Sequence, residues 1–234
     1  MTLAVSLALA TTLLASPKLA HTRESEGGGF PATIRVMPGA PARVELTNTG
    51  TQPITAWSFT VSTPGATGVH HETHTADVYL SEVTGQLPGA EPHLDRIMPG
   101  QSRALPIDAA SADAGVHITA LVLQDGTGLG DAAVLNALFT HRAAERDQLR
   151  AVAETFRTVL AAKRGTAALA ELQHQLQSDG EDSVPRRTAR DAVDVLLRKA
   201  QAGSEEEADR SVRKYAEFVS RQYDAAAAHA QRKQ

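Results

Sequence analysis

The fold is decided by the stretch Ala42-Arg-Val-Glu-Leu-Thr-Asn-Thr-Gly-Thr-Gln-Pro-Ile-Thr-Ala-Trp-Ser-Phe-Thr-Val-Ser62. It predicts two strands, because Val44 and Leu46 alternate with polar residues in the first half and apolar residues alternate from Trp57 to Val61 in the second. The asparagine, glycine and proline between them are typical of a turn. We expect a hairpin whose apolar faces, which include the only tryptophan of the chain, lie in a hydrophobic core.

Further strand-like segments lie on both sides of this stretch. Including its own two strands, they are predicted at 32–37, 42–48, 54–62, 76–82, 94–98, 102–107 and 115–124. Proline–glycine pairs and other turn residues separate them. Short strands at this spacing predict an all-β, immunoglobulin-like sandwich of two sheets over residues 30–124.

The turn chemistry of this region resembles that of the bacterial exported domains called CARDB and NEW3. The resemblance lies in Val44-Glu-Leu-Thr-Asn-Thr-Gly50, in Pro53-Ile54 after it, and in Ile97-Met-Pro-Gly100-Gln-Ser102. These domains are immunoglobulin-like or fibronectin-III-like sandwiches, and the resemblance implies an extracytoplasmic accessory or adhesion-type module without catalysis. It covers about residues 30–124 and does not extend to the second half of the chain or to a histidine-rich insert.

Residues 131–234 predict an all-α helical domain after the sandwich, and hence a segregated α+β protein. Apolar residues recur there at steps of three and four, which indicates four amphipathic helices. Arg142 and Glu145 interrupt the apolar stripe of the first helix, and Ser204 with Glu207 forms a capping box at the start of the last one. A glycine-rich pivot at 125–130 separates the two domains, and Asp131 is suited to cap the first helix.

The strand at 115–124 ends with apolar residues on both faces, which predicts a second layer of cover. We expect the apolar second face at Leu121 and Leu123 to be covered by Val134, Leu135 and Leu138 of the first helix. The two halves would then form one unit. The alternative is a free helical domain on a flexible tether.

The first residues predict export. Residues 3–15 form an apolar run of signal-peptide length, too short to span a bilayer, and small residues follow it. We therefore expect a signal peptide at 1–20, a linker at 21–29, a mature N-terminus between about residues 16 and 24, and a periplasmic or extracellular protein. A short buried helix is the alternative interpretation of the run.

Composition excludes several classes of function. The chain has no cysteine, which rules out disulfides, thiol nucleophiles and thiolate metal sites. Its formal net charge is -4; residues 1–130 carry 6 Lys and Arg against 11 Asp and Glu, and residues 131–234 carry 17 against 16. This balance, without interleaved aromatic residues, does not indicate a nucleic-acid partner.

The residues with the clearest chemical potential are His70, His71, Glu72 and His74. Imidazole nitrogens and a carboxylate at this spacing could bind zinc or copper, with Asp77 and His93 as additional ligands. The pattern is not His-Glu-x-x-His, so it does not indicate a metalloprotease. The alternative is a polar loop of solvated histidines.

No catalytic motif is found, and we expect no enzyme. The first interpretation is a non-catalytic exported protein that acts in binding or assembly at the cell envelope, with another protein as partner. The alternative is a periplasmic metal-binding protein that uses the insert His70–His74. An enzyme with a site between the halves is the third class, and no sequence motif supports it.

Overall fold

The computed structural model describes residues 29–37, 42–84, 95–107, 114–178 and 182–233. The predicted signal peptide, all of the linker but Gly29, and His93 lie outside the described residues. Within them, a β part of two sheets precedes a helical part, so the segregated α+β architecture is confirmed at this level.

Two antiparallel sheets form the β part. The strands are β1 (Ala32–Met37), β2 (Arg43–Asn48), β3 (Ile54–Gly65), β4 (Gly68–Asp77), β5 (Ser102–Pro106), β6 (Gly115–Leu123) and β7 (Gly128–Gly130). The first sheet has the order β1-β2-β5 and the second has the order β4-β3-β6-β7. The helices are α1 (Ser81–Thr84), α2 (Ala132–Ala162), α3 (Gly165–Ser178), α4 (Val184–Ala200) and α5 (Glu205–His229).

The stretch that was expected to form a hairpin instead carries the chain from one sheet to the other. β2 pairs with β1 and β5, whereas β3 pairs with β4 and β6. Asn48 shapes the crossing, because its buried side chain donates to the carbonyls of Gln52 and Ile97, both at 2.8 Å, and accepts from the Gly50 N–H at 2.9 Å. The expected pairing was wrong, but the expected faces are confirmed: Val44, Leu46 and the Trp57–Val61 stripe meet in one core between the sheets.

The structure contains two strands that the sequence did not predict, and two predicted strands are replaced wholly or in part by other structure. β4 occupies the histidine tract, and β7 lies within the glycine-rich pivot. Residues 78–80 lead into α1 instead of extending a strand, and the described part of 94–98 contributes only a bridge from Ile97 to Ile54. β4 was missed because its residues are polar on both faces, as those of an edge strand can be.

A bulge in β6 decides which side chains face the helices. Ser58 pairs with Ala120, but its neighbour Phe59 pairs with Ile118, so Thr119 is an extra residue in β6. The bulge reverses the side-chain alternation. Val116 and Ile118 face the core before it, and Leu121 does so after it. Ala120 and Val122 therefore face outward to α2, which corrects the expectation for Leu121 and Leu123.

The docking of α2 on the β part is confirmed. Leu135, Leu138 and Phe139 pack with Ala120 and Val122 in one buried cluster. Val134 is partly buried against the same cluster. The two halves of the chain therefore share an apolar interface instead of being joined only by a tether.

The other helices pack on α2 around a second core, which includes Phe156 and Val219. Asp131 and Ser204 cap α2 and α5 as the sequence predicts, because their side-chain oxygens accept backbone N–H groups of the first turn. Carboxylates at the start of α5 also bind the start of α3, where Glu205 accepts from the Thr166 N–H at 2.9 Å. Within the described residues, no helix combines the length and apolar character needed to cross a lipid bilayer.

Gly130 should not tolerate even an alanine. It has a φ of 104°, and an added Cβ would overlap the Thr119 carbonyl oxygen at the bulge. A positive φ alone costs a non-glycine residue roughly 1–2 kcal/mol, and the overlap adds to that cost. We expect Gly130→Ala to lower the urea midpoint clearly, whereas Gly115→Ala, where an added Cβ meets nothing within 4 Å, should not. Equal midpoints for the two variants would contradict this account.

Candidate functional site

The histidine tract forms the edge strand β4, which pairs with β3. Strand alternation places His70, Glu72 and His74 on one face and His71 on the other. His74 stacks on Phe59, with ring centroids 5.0 Å apart, and its Nε2 lies 3.1 Å from Glu72 Oε1. On the opposite face, His71 Nδ1 lies 2.9 Å from Ser62 Oγ. The four candidate ligands therefore do not converge on one point.

Metal binding by this tract stays a prediction. Within the described residues, no group of three or more histidine, aspartate or glutamate side chains is placed to hold a metal ion. His93 lies outside the described residues. Asp77, the other additional ligand considered, is directed at an arginine of α2 instead of at the histidines.

That arginine, Arg142, is fully buried. Its Nε donates to Asp77 Oδ2 at 2.8 Å and its Nη2 donates to Asp77 Oδ1 at 2.7 Å, which makes a two-point ion pair between α2 and the end of β4. Nη2 also lies 3.3 Å from Thr55 Oγ1, and Nη1 lies 3.4 Å from the His229 carbonyl oxygen. The guanidinium thus contacts β3, β4 and the end of α5 at once.

Aromatic rings complete the surroundings of Arg142. Its guanidinium carbon lies 4.6 Å from the ring centroid of Tyr79 and 5.4 Å from that of Phe139. The Tyr79 hydroxyl donates to Glu145 Oε2 at 2.6 Å. Burial, and then the hydrogen bond to the Glu145 carboxylate, raise the pKa of Tyr79 well above its usual range. Tyr79 therefore stays protonated and holds a second polar link between the β part and α2.

The C-terminal segment also binds the β part. The Lys233 N–H donates to the Gly126 carbonyl at 3.0 Å, and Lys233 forms a parallel bridge with Thr127 of the pivot. Both the first and the last helix of the helical part are therefore bound to the β part.

We name Arg142, Asp77, Tyr79, Glu145 and Thr55 the junction cluster. The junction cluster links the β part of the chain to the helical part. The donors of Arg142 are directed at Asp77, Thr55 and the His229 carbonyl, so protein groups already bind the guanidinium. A buried arginine of this kind depends on its partner, because an unpaired charge in a protein interior is costly. The sequence carried one signal for it, a charged residue within the apolar stripe of the first helix. Nothing in the sequence pointed to Asp77 as its partner, 65 residues away.

A second group of polar side chains lines the outer face of the second sheet beyond α2, with the buried Ser58 at its centre. We name it the hydroxyl face; its members are Ser58, Thr60 and Ser62 of β3, Thr73 and Thr75 of β4, and Thr119 of β6. Their hydroxyls bond across the strands, as between Thr75 and Ser58 at 3.0 Å and between Thr119 and Ser58 at 2.8 Å. This ladder fixes the register of the sheet where apolar packing is missing on one side.

Because the two halves are docked, we expect them to unfold together in one cooperative transition. Leu135 is fully buried between α2 and the β part, so Leu135→Ala should cost about 2–5 kcal/mol. Trp57 fluorescence reports on the β part and circular dichroism at 222 nm reports on the helices, and both should shift to the same lower urea midpoint. Glu154→Ala, on an exposed position of the same helix, serves as the control. A shift confined to one of the two signals would show that the halves unfold independently.

Comparison of the chain with protein-family models, with curated proteins and with solved structures gives no match. The resemblance to CARDB and NEW3 domains therefore stays a prediction. What supports a function for this chain is the geometry of its own residues.

Proposed function

We propose that this protein is a non-catalytic, exported binding or assembly module whose β part is an immunoglobulin-like sandwich of the fibronectin type III arrangement. The observation that carries the proposal is the strand order β1-β2-β5 in one sheet and β4-β3-β6-β7 in the other. In immunoglobulin lettering, strands A, B and E form one sheet and strands C′, C, F and G form the other. Sandwiches of this architecture are common in cell-surface proteins.

The apolar run at residues 3–15 supports the exported location. The proposal also assigns a role to the helical part. The Arg142–Asp77 ion pair and the apolar α2 interface fix the helices in one orientation on the sandwich. A module of this kind presents the hydroxyl face and the helical surface at a fixed separation, which suits assembly with another protein more than turnover of a substrate.

Two measurements on the native host test the proposal together. We expect N-terminal sequencing of the protein to find a mature end between about residues 16 and 24, in the periplasmic or extracellular fraction. We also expect cross-linking in intact cells, followed by mass spectrometry, to recover a protein partner of the envelope. Intact Met1 in the cytoplasmic fraction would overturn export, and turnover in an unbiased hydrolase screen would overturn the non-catalytic role.

A further inference from the structure

β4 is a long strand at an edge of the second sheet. It runs for 10 residues from Gly68 to Asp77, and most of its side chains are exposed, with Val69 58% accessible. Within the described residues, no other segment makes a backbone hydrogen bond to its outer edge. Such an edge offers unpaired N–H and carbonyl groups to another strand.

Within the described residues, the other edges of the two sheets carry features that hinder pairing with another strand and that β4 lacks. β5 has only 5 residues and includes Arg103 and Pro106. β1 includes Arg35, and β7 has only 3 residues beside the C-terminal bridge to Lys233. Short length, basic residues and proline are the usual means of blocking an edge. β4 contains no lysine, arginine or proline, so it lacks each of these means.

The ladder to β3 fixes which backbone groups of β4 point outward. The Val78 N–H donates to the Thr55 carbonyl at 2.9 Å, and hydrogen-bonded pairs alternate along an antiparallel ladder. His70, Glu72 and His74 therefore direct their backbone groups to β3. Val69, His71, Thr73, Thr75 and Asp77 direct theirs to the outer edge, so within β4 only these residues can form backbone hydrogen bonds with an added strand.

We propose that β4 pairs with β4 of a second copy of this chain, antiparallel and centred on Thr73, so that the second sheets of two molecules form one continuous sheet. In this register Thr73 faces Thr73 of the second copy, and His71 faces its Thr75. The interface is isologous and closes after two copies. The inference rests on β4 alone and holds whether or not the protein is exported.

The side chains at positions 72 and 74 favour this register over the adjacent one, which is centred on Glu72 and pairs a similar number of residues. Centred on Thr73, the register places Glu72 opposite His74 of the second copy, and this pair occurs twice by symmetry. These are non-hydrogen-bonded positions, where facing side chains are closest. Centring on Glu72 would instead place Glu72 opposite Glu72, and like charges directly opposite each other are destabilising.

A single cysteine tests the geometry, since the chain has none of its own. Facing residues of a hydrogen-bonded pair have Cα atoms about 5.5 Å apart, within the range of about 4.4–6.8 Å that disulfides span. We expect Thr73→Cys to form a disulfide-linked dimer under mild oxidation. His117→Cys, exposed on the same sheet but two strands away from β4, should stay monomeric on a non-reducing gel. Equal cross-linking of both variants, or of neither, would overturn the proposal.

Charge variants test the register without oxidation. In sedimentation equilibrium, the untagged protein should have twice the mass of one chain. Glu72→Lys places lysine opposite His74, and His74→Glu places two glutamates opposite each other, so each variant alone should be monomeric. An equimolar mixture should dimerise again, because the introduced lysine then faces the introduced glutamate across the interface and the Glu72–His74 pair is restored once. A monomeric wild-type protein, or a mixture that stays monomeric, would overturn the proposal.

Discussion

Replacing Arg142 with leucine should lower the free energy of unfolding by about 3–5 kcal/mol, because it removes one partner of a buried ion pair and leaves the other. The Asp77 side chain is only 11% accessible, and it would lose both of its bonds to the guanidinium. Thr55 and the Tyr79 ring would lose a contact as well. Urea unfolding followed by circular dichroism gives the measurement.

A matched control lies one helical turn further along α2. Arg146 pairs with Asp147 at the surface, and its side chain is 30% accessible, so Arg146→Leu should cost no more than about 1 kcal/mol. The double variant Arg142→Leu with Asp77→Leu should recover part of the stability, because an apolar pair of similar volume needs no desolvation of charge. If Arg142→Leu and Arg146→Leu cost the same, the junction cluster does not hold the halves together.

The helices could be predicted from the sequence because one physical rule decides each of them. Apolar residues at three- and four-residue steps set their faces, while Asp131, Ser204 and Gly165 set their ends. The same holds for β1, β2 and the part of β6 up to Ile118, where one face is buried and alternation is visible. In each case the sequence pattern that predicts the element lies within the residues of that element.

The features that could not be predicted, namely β4, the bulge in β6 and the crossing between the sheets, depend on contacts between residues that are distant in the chain. β4 carries polar side chains on both faces, so alternation of polarity cannot mark it. The bulge at Thr119 reverses the faces of β6, and only pairing with β3 reveals it. The crossing at Asn48 changes sheets, although its asparagine and glycine are equally typical of a hairpin. Local chemistry therefore predicted the elements, and long-range pairing decided their arrangement.

The charged residues in the stripe of α2 illustrate how a local exception can be interpreted. Arg142 and Glu145 lie where apolar residues are expected, and both bind partners from the end of β4 and the segment after it, namely Asp77 and Tyr79. A charged residue on a buried helix face predicts a partner of opposite charge or a hydrogen-bond donor across the interface. It does not identify the partner, which here is 65 or 66 residues distant in the chain.

Replacing Trp57 with alanine should cost about 3–5 kcal/mol, because it removes a large buried side chain and leaves a cavity in the core between the sheets. Trp57 is 3% accessible, and its neighbours across the strands are Ala76 and Leu121. The guanidinium carbon of Arg103 lies 5.6 Å from the ring centroid and would lose this contact too. In the unmodified protein, the emission of this single tryptophan should be blue-shifted and poorly quenched.

Unfolding of Trp57→Ala must be followed by the circular dichroism of the helices, because the substitution removes the only tryptophan of the chain. If the junction cluster and the α2 interface couple the halves, Trp57→Ala should lower the unfolding midpoint of the helical signal at 222 nm, although the changed residue lies in the β part. His117→Ala, at an exposed position of the neighbouring strand β6, should change that midpoint little, because surface substitutions usually lie within about 0.5 kcal/mol. An unchanged helical midpoint in Trp57→Ala would mean that the helices fold independently, and the rigid arrangement proposed for the two halves would then fail.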